Sequence, residues 1–227
     1  MNDPDMAARQ HQERMWVEAA LAGDERAFEQ LVAAYATPVY NLAYRMLGDP
    51  AEAEDAAQET FIRVYRRLHT YDPSRKFSSW ILSIASHHCI DRLRRRRHRH
   101  VSLEEMPPWK PLVSQAPDPE ERAVARDESA RLQALLDDLP PDYRLPLVLH
   151  YWYGLSYNEI CEVTGLSLSA VKTRLHRARL KFADIMRARA PDLIPSAGER
   201  RKRAARKAPA EANGVGRAGT ADAHRAV

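Results

Sequence analysis

The sequence is poor in what a sheet-built enzyme needs. Its 227 residues hold only eight glycines, and strand-like alternation of apolar and polar residues is scarce. No Gly-rich phosphate loop, nucleophile elbow or zinc-spaced cysteine pair is present, so the usual sequence signs of catalysis are missing. We therefore expect no catalytic residues, no enzyme and no cofactor. There are two cysteines, Cys89 and Cys161, far apart in sequence. That pattern excludes a disulfide framework and suits a reducing compartment. No apolar run approaches the ~20 residues a membrane span requires, and the N-terminus lacks a basic-then-apolar signal pattern. The expected location is cytoplasmic.

Charge is plentiful and segregated. The chain carries 35 Lys/Arg against 31 Asp/Glu, for a net +4. Residues 196–227 alone hold eight Lys/Arg and three Asp/Glu, a net +5 that leaves the rest near −1. Separate blocks of opposite sign suggest separate partners for separate surfaces.

The expected fold is all-α, with two small helical domains joined by an extended linker. Residues 1–11 read as disordered. Residues 12–97 read as a first helical domain: Gln12 to Ala22, a helix capped by Asp24 and ended near Gly48, another from Asp49, and one from Ser78 to about Arg97. Asp49-Pro50-Ala51-Glu52 is a compact helix start, with Asp as cap and Pro in the first position. Residues 98–126 read as a linker, because five prolines between Pro107 and Pro119 break any helix. Residues 127–190 form a second helical domain, in which Asp142 caps a helix so that Pro146 falls in its first turn. Residues 191–227, rich in Ala, Arg and Gly, read as a disordered basic tail.

Within the second domain, Ser156 to Lys181 reads as two short helices around a tight turn. Ser156 and Glu159 can close a capping box. Gly165 supplies the positive φ of a sharp stop, and Ser167 can cap the next helix. On that helix Val171, Leu175, Ala178 and Phe182 share an apolar face. Lys172, Thr173, Arg174, His176, Arg177 and Lys181 take the other faces. A basic helix set on a capped helix and turn has the geometry of a major-groove reader. Such a face can also be simply solvated.

Two constellations lie in the first domain. Glu52, Glu54, Asp55, Gln58 and Glu59 crowd one side of a helix whose other side is apolar. The helix dipole accounts for Glu52 and Glu54 but not for Gln58 and Glu59 beyond the first turn. The patch suits protein docking or plain solvation equally. The second constellation is Asp91 to His100, with six arginines between Arg92 and Arg99. They surround the helix, so a core cannot use them, and they can neutralise phosphates. Phe77, Trp80, His87 and His88 precede them. Rings beside basic charge suit single-stranded DNA, though Phe77 and Trp80 also suit core packing. His87, His88, Cys89, His98 and His100 do not make a metal site, since helical neighbours point about 100° apart.

The stretch Asp49-Pro-Ala-Glu-Ala-Glu-Asp-Ala-Ala-Gln-Glu-Thr-Phe-Ile-Arg-Val-Tyr resembles region 2.2 of bacterial group IV, extracytoplasmic-function sigma factors of the sigma-70 family. Phe77-Ser-Ser-Trp-Ile-Leu-Ser-Ile-Ala and Asp91-Arg-Leu-Arg-Arg resemble their regions 2.3 and 2.4. Leu139 to Leu149, Gly154 to Ile160 and Val171 to Arg179 resemble region 4. The resemblance spans residues 12–97 and 127–186. It implies binding to core RNA polymerase at the β′ clamp helices and β flap, and recognition of promoter DNA as duplex at −35 and single strand at −10. It implies core docking by Asp55, Gln58 and Glu59. It places Tyr71, Lys76, Phe77, His87, His88, Asp91, Arg92, Arg94 and Arg95 at the −10 element. It places Lys172, Thr173, Arg174, His176 and Arg177 at the −35 element. His87 stands where the family often has Asn, which bears on −10 base choice. Regions 1.1 and 3 of housekeeping sigma factors find no counterpart here, and the resemblance implies an anti-sigma partner. A stand-alone helix-turn-helix regulator, an RNA-binding helical protein and an enzyme are the competing readings.

Overall fold

The computed structural model describes residues 4–99 and 129–193; the expected linker and basic tail lie almost entirely outside the described residues. The described residues up to Arg189 form one compact unit, and every described element of it is helical or a turn. We label the helices α1 (Pro4–Leu21), α2 (Glu25–Leu47), α3 (Pro50–Arg67) and α4 (Phe77–Arg99). After the linker come α5 (residues 129–137), α6 (Pro141–Tyr151), α7 (Tyr157–Thr164) and α8 (Leu168–Arg189). Beyond them Pro191–Leu193 forms a single 3-10 turn.

Local chemistry sets most of the boundaries. The Asp24 carboxylate accepts from the N–H groups of Arg26 and Ala27 at 2.9 and 3.2 Å and opens α2. Gly48, at φ 79°, closes it. Asp49 accepts from Glu52 N–H at 2.8 Å and opens α3, with Pro50 in the first turn. Helix α8 runs on to Arg189, past the short helix expected to end near Lys181, and two helix starts differ from expectation. Helix α1 begins at Pro4 instead of leaving residues 1–11 disordered. Its first turns hold Ala7, Ala8, Arg9 and Gln10, strong helix formers that extend a helix already anchored by Val17. Helix α6 is preceded by Pro140 rather than capped by Asp142, so Pro146 sits inside the helix, not in its first turn. Its ring is buried with Leu145 and Leu147. Burial at this site outweighs the one backbone hydrogen bond that proline forfeits.

Helix α2 is the axis of the first domain, packed on α1, α3 and α4. Leu31, Val39, Leu42, Met46, Val64 and Ile81 fill the space between them. Fully burying such a side chain stabilises the fold by about 1.5–3 kcal/mol. This core runs on without a break into Val148, Leu149, Ile160, Val163, Val171 and Leu175 of the second domain. A smaller cluster of Leu136, Leu139, Leu147 and Ala178 lies beneath α8.

Polar bonds fix that junction. Arg144 of α6 is only 5% exposed. Its guanidinium donates to Met46 O in the last turn of α2, and to Asp137 Oδ1 at 2.9 Å. It also donates to the carbonyls of Asp137 and Leu139 at 2.7 and 3.2 Å. Gln133 Nε2 donates to Arg45 O at 3.3 Å. The second domain thus satisfies carbonyls that the end of α2 would otherwise leave bare. Glycine suits position 48 because its φ is positive, and a Cβ there would stand 2.6 Å from Asp137 Oδ2, so that the carboxylate held by Arg144 would have to shift.

Candidate nucleic-acid interface

Helix α3 carries the acidic patch. Asp55 and Gln58 are exposed and Glu59 is half-buried. Apolar Ala53, Ala56, Ala57 and Val64 hold the opposite face against the core. Glu59 accepts from Arg63 Nε at 2.7 Å, and this bond holds its carboxyl below the ordinary range. Asp55 lies 3.7 Å from Arg92, and Glu52 lies 3.7 Å from Arg96, both on α4. These are surface pairs worth about 0–1 kcal/mol each, so an incoming partner can displace them cheaply.

The loop before α4 is tightly made. Asp72 accepts from Ser74 N–H at 2.9 Å, and Tyr71 OH donates to Arg75 O at 2.5 Å. The Tyr71 ring stands 5.3 Å from the rings of Phe77 and Trp80, and the Tyr35 ring meets Phe77 at 5.4 Å. Tyr71 and Trp80 are half-buried. His87 is exposed, its Nδ1 2.7 Å from Ser83 O. Asp91, Arg94 and Arg95 are exposed and Arg92 is half-buried.

Two of the expected DNA residues belong to the interior instead. Phe77 is 1% exposed and His88 4%. Phe77 is the first residue of α4, where a large ring completes the core between α2 and α4. His88 lies one position after His87, hence about 100° round the helix and turned inward. Burial lowers its pKa, with Arg63 and Arg92 acting in the same sense. Its ring nitrogens have no hydrogen-bond partner among the described residues. Neither side chain can meet a base without moving out of the packed structure.

The second domain completes the turn-linked helix pair as expected. Ser156 and Glu159 form a reciprocal capping box, and Gly165 ends α7 at φ 70°. Ser167 Oγ accepts from Ala170 N–H at 3.3 Å and opens α8. Val171, Leu175 and Ala178 are buried. Lys172, Thr173, His176 and Arg177 are exposed along the outer face. Arg174 is half-buried and lies 3.4 Å from Asp142. Arg179 donates to the hydroxyls of Tyr151 and Tyr157 at 3.0 and 3.3 Å, a structural role.

The two candidate DNA surfaces stand differently toward solvent. The outer face of α8 is open. The corresponding face of α4 is turned toward the second domain, across a cavity of about 190 Å³ lined by His87, Asp91, Arg94, Asp142, Thr164 and Arg174. Lys76, at the end of the loop, donates to Glu159 Oε1 of α7 at 2.6 Å. Neither Glu159 nor Arg144 stands out in the sequence as an inter-domain contact. The one available sign is a lone arginine beside the apolar run Leu145 to Leu149. Among the described residues no group of three or more His, Cys, Asp or Glu is placed to hold a metal.

The Lys76–Glu159 pair sets a pH dependence. The bond from Lys76, then the backbone N–H of Ser156, hold the Glu159 carboxyl down at about 2. An unfolded glutamate titrates near ~4.3. A carboxyl depressed by folding contributes stability that is complete above that value and is lost as pH falls toward about 2. Lys76 is largely exposed, so the contribution is modest. Glu159→Gln keeps the capping-box geometry and removes the charge. Its thermal unfolding midpoint is expected to fall less steeply than that of the unaltered chain between about pH 4.5 and about pH 2.5. Parallel slopes would show that this pair does not hold the domains.

Comparison with known proteins bears on both domains. Residues 31–99 match the model for sigma-70 region 2, and residues 129–182 the model for sigma-70 region 4. The chain is 38% identical over 163 residues to the ECF RNA polymerase sigma factor SigW of Bacillus subtilis, covering 69% of this chain and 87% of SigW. It is 37% identical over 179 residues to the ECF RNA polymerase sigma factor SigE of Mycolicibacterium smegmatis, covering 77% of this chain and 68% of SigE. Among solved structures it is similar to CnrH in complex with the cytosolic domain of CnrY. The TM-score there is 0.60 at 29% identity, over 78% of this chain and 98% of that one.

Proposed function

The chain belongs to the sigma-70 family, among the extracytoplasmic-function sigma factors, and from that premise we propose which of its residues perform each part of promoter-directed initiation. It directs RNA polymerase to promoters and contributes DNA recognition rather than chemistry of its own. It acts in the cytoplasm, and among the described residues no helix is long and apolar enough to cross a membrane.

Asp55, Gln58 and Glu59 dock on the β′ clamp helices of the core enzyme. Tyr71, Lys76, His87, Asp91, Arg92, Arg94 and Arg95 gather the unpaired −10 strand. Lys172, Thr173, His176 and Arg177 read the −35 duplex, with Arg174 on phosphate. Region 4 also meets the β flap. The proposed functional limits are 12–97 and 127–190, with the first turns of α1 and the last residues of α4 extending past the former. The observation that carries the proposal is the open basic face of α8 above a buried Val171, Leu175 and Ala178, with the acidic face of α3 in the same molecule. CnrH is solved in complex with the cytosolic domain of CnrY, and in keeping with such a protein partner, the anti-sigma factor that the family resemblance implies is the expected negative regulator. The compact form leaves α8 free and covers part of α4. Parting of α4 from α6 and α7 would open the rest of this face to the −10 strand. Run-off transcription with core polymerase on genomic fragments tests the whole reading. Transcripts starting at defined sites are expected, and none from core enzyme alone.

The −35 assignment makes a separable prediction. Lys172 and Arg177 can donate to guanine N7 and O6, and a good base contact gives about 1–3 kcal/mol of discrimination. Phosphate contacts position the protein without specifying sequence. Arg177→Ala is expected to weaken the preferred −35 sequence far more than a scrambled one. Arg174→Ala is expected to weaken both alike and to lower the salt slope by about one contact. Binding of both variants to both sequences at two salt concentrations decides. Uniform loss in Arg177→Ala would mean that this side chain grips DNA without reading it.

A further inference from the structure

A broad groove lies away from the acidic face of α3, the α4 face and the outer face of α8. It measures about 940 Å³ and runs between α2 and the end of α6. Pro38, Tyr40, Tyr44, Arg45, Trp152 and Tyr153 line it. The Tyr40 and Tyr44 rings lie parallel, 2° apart in tilt, with centroids 6.3 Å apart. The Arg45 guanidinium spans from the Tyr44 ring at 5.7 Å to the Trp152 ring at 5.4 Å. Tyr153 OH donates to Pro38 O at 2.5 Å and fixes the far wall. Parallel rings on a rigid base are the surface that takes proline-rich chain, because a polyproline helix is already ordered and loses little entropy on docking.

The chain carries such a segment between its two helical domains. Met106-Pro-Pro-Trp-Lys-Pro-Leu-Val113 is the most apolar stretch between residues 100 and 128. The second domain resumes at Ser129, which lines the same groove and accepts from Arg45 Nη2 at 3.2 Å. From Val113 to Ser129 the backbone can reach about 50 Å, and from Arg99, the end of α4, to Met106 about 23 Å. Asp49 and Glu54 lie near enough to act on the Tyr40 hydroxyl. They offer the one lysine of the segment, Lys110, a complementary charge.

We propose that residues 106–113 dock in the Tyr40–Tyr44–Trp152 groove of their own chain. The two domains are then held together by the linker as well as by Arg144 and Lys76. Tethering supplies an effective concentration of about 1 mM. A contact with an intrinsic dissociation constant of about 0.1 mM is then occupied about 90% of the time.

The test uses the full chain labelled with 5-fluorotryptophan. Its four tryptophans are Trp16, Trp80, Trp109 and Trp152, and Trp109→Phe assigns the resonance of interest. The reference is the isolated labelled peptide 100–118. In the full chain the Trp109 resonance is expected well away from its position in the peptide. Tyr44→Ala, weakening the contact about tenfold, should bring it about half way back. Pro107→Ser with Pro108→Ser should do the same while leaving every residue of the described helical core unaltered. A Trp109 resonance at the peptide position in the unaltered chain overturns the proposal. So does a displacement that survives the proline replacements. A displacement that grows with protein concentration overturns it in favour of docking by a second copy.

Discussion

Asp55→Arg combined with Glu59→Arg is expected to abolish co-elution with core RNA polymerase. Both carboxylates stand beyond the first turn of α3, where the helix dipole no longer explains them. Within the free chain each has only a surface partner, Arg92 at 3.7 Å and Arg63 at 2.7 Å. Exchange of such partners costs little, so the folded chain should lose almost nothing. At the interface the balance reverses. Truncating one member of a desolvated charge pair costs about 2–5 kcal/mol, which is about 30-fold to several-thousand-fold in affinity. Reversal adds repulsion to that loss. Circular dichroism and the melting curve check the fold, and gel filtration with core enzyme reads the outcome. Unchanged co-elution of a folded double variant would remove α3 from the polymerase interface.

Arg144→Ala is expected to be the most destabilising single change outside the apolar core. The guanidinium is 5% exposed and donates to the carbonyls of Met46, Asp137 and Leu139 and to the Asp137 carboxylate. Breaking a buried pair by deleting one partner costs about 3–5 kcal/mol. Asp137 retains some access to water, so the lower end of that range applies to its share. The bare Met46 carbonyl at the end of α2 adds to the loss. Against a typical total of about 5–15 kcal/mol, the urea midpoint should fall clearly. Arg144→Lys should rescue little, since one ammonium cannot match a planar fork. The hydrodynamic radius should also grow as the domains separate. A variant with the original midpoint and radius would show that the apolar junction suffices without this side chain.

The sequence by itself determined the elements and most of their ends. Asp24, Asp49, Ser156 and Ser167 act on backbone groups two or three residues away, and Gly48 and Gly165 set their own φ. Those effects are local, so they can be read from neighbouring letters. The apolar stripe of α8 was legible for the same reason, because one helical period fixes which residues share a face. Even the composition of the acidic and basic constellations could be read along single helices. Their burial could not. Phe77 and His88 sit beside exposed residues in a DNA-like motif, and only packing against α2 and α3 decides that they face inward. The place of Pro146 inside α6 was likewise decided by burial beside Leu145 and Leu147. Tertiary structure alone joined the two domains into one core. It paired Lys76 with Glu159, and Arg144 with the end of α2, across separations of 83 and 98 residues. Contacts of that range depend on how helices stack in space, and no periodicity within a segment encodes them.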